Sequence, residues 1–309
     1  MRPFEISSHR LWRRYRRNQV VGQLKAHRGA FVCAIVLLLA VITALLAPWL
    51  APYNPGDLAA HDIMDAELPP IWQPGGDSRF WLGTDGLGRD LLSSLIYGLR
   101  TSLAVGFCAV LLQLLLGVSL GLAAGYLGGW TDRILMRLAD LQLAFSSLML
   151  AILALAIVQA AMGAASYSIW APWILVLVLG LAEWPQYART LRASVMAEKQ
   201  KDYVAAAELL GFGNWRIMLR HILPNTLSPL LIISTLQVAH VILAEAALSF
   251  LGIGMPYYTP SLGGQMRDGF EYMLSGSWWI ALLPGLTLVL LLLAINLLGD
   301  WLRDTLDIQ

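Results

Sequence analysis

Six stretches of this chain are too long and too apolar to be buried inside a soluble domain: 30–50, 102–127, 134–162, 169–188, 227–251 and 278–298. Crossing ~30 Å of hydrocarbon takes about 20 such residues in a helix. Only helices or closed barrels satisfy every backbone N–H and C=O there, and runs of this length specify helices. The chain therefore reads as an all-α integral membrane protein with six transmembrane helices. Composition agrees: 13% of the 309 residues are charged and 58% are hydrophobic, against ~25% charged in a soluble domain. A net charge of +1 singles out no partner. Cys33 and Cys108 both lie in apolar runs, which suits buried thiols rather than a disulfide framework or a metal site.

Residues 1–29 form a basic N-terminus carrying Arg2, Arg10, Arg13, Arg14, Arg16, Arg17, Lys25 and Arg28. A nucleic-acid arm is the rival reading, and a cytoplasmic flank of the first membrane helix (30–50) is preferred. Pro48 and Pro52 end that run without a small-residue cleavage pattern, so it reads as an uncleaved anchor. Residues 51–100 form an acidic, proline-rich outer loop. Its Gly83-Thr84-Asp85-Gly86-Leu87-Gly88-Arg89-Asp90 string is no dinucleotide cradle, because position 91 is leucine and no strand precedes it. Leu91, Leu92, Leu95, Ile96 and Leu99 share one helical face and predict a separate amphipathic helix at the interface.

In the second span Gly117, Gly121 and Gly125 recur every fourth residue, which predicts close approach of another helix. The third run carries Asp140, an intramembrane carboxylate and so a functional candidate, with Arg137 three residues earlier as the preferred pairing partner. The fourth run is interrupted by Glu183 and Pro185; the proline predicts a bend. Glu183 faces either a water-filled path or the headgroups, and the headgroup reading is slightly favoured. His240 and Glu245, five apart in the fifth run, point to different faces and form no pair. Trp278 and Trp279 suit an interfacial belt at the start of the sixth.

Between the fourth and fifth runs lies a polar stretch, 198–225, with its own design. An Ala-rich segment ends at Gly211, the residue type that ends a helix at positive φ. Asn214 is placed to cap the next helix. Trp215, Met218, Leu219 and Ile222 then repeat at three to four residue spacing until Pro224, giving two short helices with an apolar face at a glycine hinge. Counting Lys and Arg, the segments on this side of the membrane carry 17 and the opposite loops 4, accounting for all 21. That asymmetry predicts both termini and the stretch 198–225 in the cytoplasm.

This stretch resembles the EAA loop of permease subunits of ABC importers, in which it forms the coupling helix. Ala206, Ala207, Gly211, Leu223 and Pro224 fall at the signature spacing. Asp202, Tyr203 and Val204 before it, with His221 to Asn225 after it, are similar to the dipeptide, oligopeptide and nickel branch; Ala205 replaces the glutamate of the general motif. Three further strings resemble the same family: Leu-Gly-Thr-Asp-x-x-Gly-Arg-Asp from Leu82, Met136-Arg137-x-x-Asp140 with Ala144-Phe145, and Glu245 to Gly254. Ser146 stands where the family often has proline, which argues against a kink there.

The resemblance implies a type I importer permease fold: a five-helix core at 98–300, coupling loop included, and a cytoplasmic tail at 301–309. It implies a multi-pass protein of the bacterial inner membrane, paired with a homologous permease subunit, two cytoplasmic ATPase subunits and an extracytoplasmic solute-binding protein. Asp202, Tyr203, Ala206, Ala207, Gly211, Trp215, His221, Leu223 and Pro224 would be the ATPase-coupling residues. Asp140 and Glu245, with the three glycines, are candidates for the pore or for helix packing. The chain has no Gly-x-x-x-x-Gly-Lys-Ser/Thr loop, so ATP and Mg would sit on partner subunits, and no catalytic, cofactor or metal residue is expected here. No nucleic-acid partner is expected either. Peptides are the expected cargo, nickel or glutathione the alternatives. An ATP-independent secondary transporter is the remote rival; it would need paired ionisable groups at the midplane and discontinuous helices.

Overall fold

The computed structural model describes residues 27–57 and 62–307, with the side chains of 164, 228, 306 and 307 left out. Of the N-terminal basic residues only Arg28 lies inside that range. Among the described residues the chain is helical, with one isolated β-bridge, Thr84 to Asp90, and no strand. Among the described residues five helices are long and apolar enough to cross a membrane, or six if one bent pair is counted as a single span.

The first crossing is α1, Arg28–Leu45, followed after Leu46 by the single turn α2, Ala47–Leu50. The break falls four residues early because the ring of Pro48 clashes with a carbonyl one turn back. Leu37, Ala40 and Ala44 pack α1 onto the core.

Leu91–Leu127 forms one helix of 37 residues, α3, not an interfacial helix followed by a span. At 1.5 Å per residue it is about 55 Å long, far more than the hydrocarbon requires. Asp90 caps it, accepting the Ser93 N–H at 2.8 Å. The supposed interfacial face is instead covered by protein: Leu91 packs with Trp279 and Ile280, and Leu95 and Leu99 pack with Ile242 and Leu262. In the preceding loop the Asp85 carboxylate accepts the N–H groups of Leu87 and Arg89 (both 2.9 Å) and the Arg89 Nε at 2.6 Å. Those amides are engaged within the chain.

The third crossing differs most from expectation. It is split into α4, Gly129–Leu143, and α5, Ser147–Met162, bent by 88°. No proline is involved: the turn is made by Ser146 in an extended conformation (φ −64°, ψ 128°). Helix α4 is charged along its length and is held to a later helix by ion pairs, so it leaves the line of α5.

Helix α6, Ala164–Ala182, ends at Glu183 (φ −129°, ψ 12°), and α7, Trp184–Lys199, begins at once. Pro185 occupies the first turn of α7, where a missing N–H costs nothing, so it starts a helix rather than bending one. Two short helices follow, α8 (Asp202–Leu209) and α9 (Asn214–Ile217), then a π-helical turn at Met218–Ile222 and α10 (Leu223–Thr226). The fifth crossing is α11, Ser228–Phe250. The loop beyond it holds α12, Leu262–Tyr272, capped by Ser261. Burial on this loop pushes the Asp268 carboxyl up to about 6, against the pull of Arg89. The last helix, α13, runs Trp279–Asp307, so residues 301–307 continue the helix of the last crossing.

Helix α3 is the central post. Its glycine ridge meets α7: a Cβ on Gly117 would stand 2.2 Å from that of Tyr187, one on Gly121 2.6 Å from the Ala188 carbonyl oxygen, and one on Gly125 2.9 Å from Val195. Only hydrogen fits at these three positions, which lets two backbones touch where lipid supplies no hydrophobic drive.

Candidate functional site

The stretch between α7 and α11 is built around a glycine turn. Gly211 has φ +76°. Its N–H donates to the Glu208 carbonyl at 2.9 Å, and Phe212 N–H donates to the Ala207 carbonyl at 3.2 Å. This bond pair is the Schellman arrangement, and it satisfies carbonyls that the end of α8 would otherwise leave open. Nothing lies within 4 Å of where a Gly211 Cβ would be. Backbone conformation, not space, is what calls for glycine here.

Asn214 does not cap α9: that position is Gly213, and Asn214 Oδ1 instead accepts the Tyr126 hydroxyl at 3.3 Å. Nor does Pro224 stop the helical pattern. It sits in the first turn of α10, and the π-helical turn before it absorbs the missing N–H. The apolar repeat straddles two environments. Ile217, Met218 and Ile222 are buried against the body with Val204 and Ala207. Trp215 is 74% and Leu209 90% exposed, with Leu210 and Leu219 also open. Arg216 and Arg220 are exposed on the same segment. The loop thus offers solvent an apolar surface bordered by cations. Large exposed apolar side chains grouped in this way mark a binding surface.

A polar network fixes the two ends of the loop. Buried Glu198, at the end of α7, accepts from the Tyr203 hydroxyl and from Lys201 Nζ, both at 2.7 Å. The Lys201 ammonium and then the Tyr203 hydroxyl hold the Glu198 carboxyl below its usual range. Asn225 Nδ2 donates to the Tyr203 hydroxyl at 3.2 Å and to the His221 carbonyl at 3.0 Å. The His221 ring stacks on Phe212 with centroids 5.8 Å apart. Tyr203, His221 and Asn225 are therefore brought together, although 18 residues or more separate the first from the others in sequence. Asp202 opens α8, where a carboxylate suits the helix dipole, and Ala206 is exposed on that helix. Sequence reading missed Glu198: Lys201 follows at i+3, but Tyr203, five residues on, lies beyond the end of α7.

Lys199 is not a free surface cation. Its Nζ donates to the Tyr126 carbonyl at 2.8 Å and lies 4.9 Å from the centre of that ring. Asp140 pairs with Arg189 of α7, not with Arg137, and both side chains are about half exposed. Arg192 and Asp132 make a second pair between the same two helices, with an N–O contact of 2.7 Å. Asp140 thus ties α4 to α7 and is no buried carboxylate of the third crossing.

Two carboxylates do lie in the body. Glu245 is fully buried and accepts from Ser102 and Ser249 Oγ, both at 2.8 Å. Glu183 does not reach toward headgroups: it is buried, accepts from Gln237, and lies 3.1 Å from His240 Nδ1. Among the described residues no three His, Cys, Asp or Glu side chains converge on one point as a metal-ligand set would.

Residues 117–308 match the family described as the binding-protein-dependent transport system inner membrane component. Residues 8–70 match the N-terminal TM domain of oligopeptide transport permease C. The chain is 42% identical over 283 residues to the di/tripeptide transport system permease protein DppC of Pseudomonas aeruginosa, covering 91% of this chain and 88% of that one. It is 42% identical over 284 residues to the dipeptide transport system permease protein DppC of Escherichia coli K12, covering 92% and 90%. Among solved structures it resembles the inward-facing MetNI methionine ABC transporter, with a TM-score of 0.54 at 17% identity over 70% of this chain and 97% of that one. At that identity the likeness bears on fold alone.

Proposed function

The chain belongs to the family of binding-protein-dependent transport system inner membrane components, and from that premise we propose that it is a membrane-spanning subunit of an ATP-driven importer of di- and oligopeptides. The observation that carries the peptide reading is the 42% identity to di- and tripeptide permeases over nine-tenths of the chain. The exposed apolar surface at Leu209, Leu210, Trp215 and Leu219 is the seat for an ATPase subunit. A homologous permease subunit completes the pore, and a solute-binding protein delivers cargo from outside. ATP and Mg are held by the ATPase subunits.

In this mechanism, closure of the ATPase pair moves α8 and α9. The Glu198–Tyr203–Asn225 network passes that movement to α7 through Glu198 and, through Asn225 in α10, on to α11. The coupling works only if the docked loop binds the two ATPase states with different free energies. Asp132 and Asp140 then carry the movement from α7 to α4. Both termini and this loop lie in the cytoplasm, as the 17-to-4 charge asymmetry favours.

Reconstitution tests the reading. The chain, purified with its partner subunits, should retain ATPase subunits and drive ATP-dependent uptake of a labelled dipeptide. Uptake that proceeds without ATP or without bound ATPase would sink it in favour of a secondary transporter. In a variant lacking Cys33 and Cys108, a cysteine in place of exposed Ser78 should react with an impermeant maleimide from outside the cell, and one in place of Gly213 should not. The reverse pattern would overturn the orientation.

A further inference from the structure

The polar cluster at Glu183 is not used by the coupling scheme. Glu183 is 7% exposed at the break between α6 and α7. Its Oε2 accepts from Gln237 Nε2 and lies 3.1 Å from His240 Nδ1. Gln237 and His240 sit three residues apart on α11, so both reach the same carboxylate. A small cavity of about 10 Å³, the size of one water at most, adjoins the cluster and is lined by Glu183, Ser147 and Gln113. Gln113 is fully buried, and its Oε1 has no hydrogen-bond partner among the described residues.

His240 distinguishes this cluster from a closed structural one. Its side chain is 51% exposed. It stands near the middle of α11, 12 residues from Ser228 and 10 from Phe250, or about 18 and 15 Å along the axis. An imidazole cannot reach the headgroups from there, and ionisable groups at such depth face a water-filled path or another subunit rather than lipid. The exposed stripe continues one turn on at Leu243.

We propose that Glu183 and His240 form a cation-binding step on the translocation path, and that the group it takes is the protonated amino group of a passing peptide; the identity of the cargo rests on the import reading above. When the imidazole is neutral, the tautomer with its proton on Nδ1 donates to Glu183. Nε2 is left with its lone pair on the exposed side, an acceptor for an ammonium N–H. Gln237 Nε2 donates to the same carboxylate from one turn before His240. With the carboxylate ionised and the imidazole neutral, the pair bears one negative charge, which attracts an ammonium and repels a carboxylate.

The test uses the complete importer complex in a background with Cys33→Ala and Cys108→Ala. His240→Cys, and separately Leu243→Cys with the pair intact, are reacted with cationic trimethylammonioethyl and anionic sulfonatoethyl methanethiosulfonates. Each rate is normalised to free cysteine. Both reagents should react, the cationic one about tenfold faster, and Glu183→Gln should bring the ratio to within about twofold. No reaction at either position would place the face in lipid or in a sealed interface and overturn the proposal. Equal rates with Glu183 intact would overturn the cation preference. In proteoliposomes Glu183→Gln should lower uptake of a free-amino dipeptide at least fivefold with ATPase association unchanged, and unchanged uptake counts against the site. Wild-type complex that imports no peptide would sink the import reading instead, and the labelling ratio would still decide whether the cation site exists.

Discussion

Glycine appears at two places that matter, for opposite reasons. Along α3, Gly117, Gly121 and Gly125 leave no room: a Cβ at each would fall 2.2 to 2.9 Å from an atom of α7. At Gly211 nothing lies within 4 Å of where a Cβ would be, but φ is +76°. The first set serves packing and the second serves conformation. The consequences separate accordingly. The α3–α7 seam is part of the folded body, so damage there costs the protein. The turn at Gly211 only aims α9 relative to α8, so damage there should cost coupling while the body survives.

Gly121→Leu should have the largest effect. The obstructing atoms are backbone, Ala188 O at 2.6 Å and Ala188 Cα at 3.0 Å, so no rotamer change relieves the clash. Overpacking of this kind costs about 1–3 kcal/mol or more, and separating α3 from α7 would also strain the Asp132–Arg192 and Asp140–Arg189 pairs. Folded, detergent-extractable protein should fall sharply and the remainder should melt earlier. Wild-type yield and melting temperature would mean that the seam gives way easily, and the contrast with Gly211 would collapse.

The seam was legible in the sequence because a four-residue glycine repeat is a local pattern; only its partner was hidden. The same holds for Gly211, the apolar runs and the loop between them. What escaped the sequence was long-range. Asp140 meets Arg189 and Glu183 meets His240 across separations of 49 and 57 residues, and hydrophobic periodicity carries no information at that distance. Gln237 and His240 on one face of an apolar helix were the available hint for the second. The 88° bend at 144–146 left no mark at all, since neither proline nor glycine makes it. The continuity of α3 was missed for another reason. An amphipathic face reads identically whether protein or an interface covers it.

Gly211→Val comes second. A β-branched residue at positive φ costs roughly 1 kcal/mol or more, and the cheapest relief is to rotate α9 away from its seat. Membrane insertion and thermal stability should stay near wild type. ATPase association should weaken about fivefold or more, or hydrolysis should run without uptake. Gly213→Ala is the control: φ there is −65° and nothing lies within 4 Å, so it should be silent. Matching behaviour of the two variants would show that conformation at Gly211 is irrelevant.

Lys199→Gln should be the smallest of the three, and it probes where the two regions meet. Lys199 is exposed in the last turn of α7. The structure places its ammonium on the carbonyl of Tyr126, in the last turn of α3, just past the glycine seam and one side chain away from Asn214 of α9. A cation at a helix C-terminus contributes about 0.3–1 kcal/mol, and the contact with the Tyr126 ring about 0.5–1 more at an exposed site. Glutamine loses the charge and both terms; Lys199→Arg keeps most of them. The expected result is a fall of about 1 kcal/mol in stability for Gln and little for Arg, with ATPase association reduced about twofold at most. A Gln variant indistinguishable from wild type would make the lysine the bystander its exposure suggests, leaving the Tyr126–Asn214 hydrogen bond to join seam and loop. A loss of coupling as large as that of Gly211→Val would mean that the seam and the loop act as one unit, and the division drawn between them would fail.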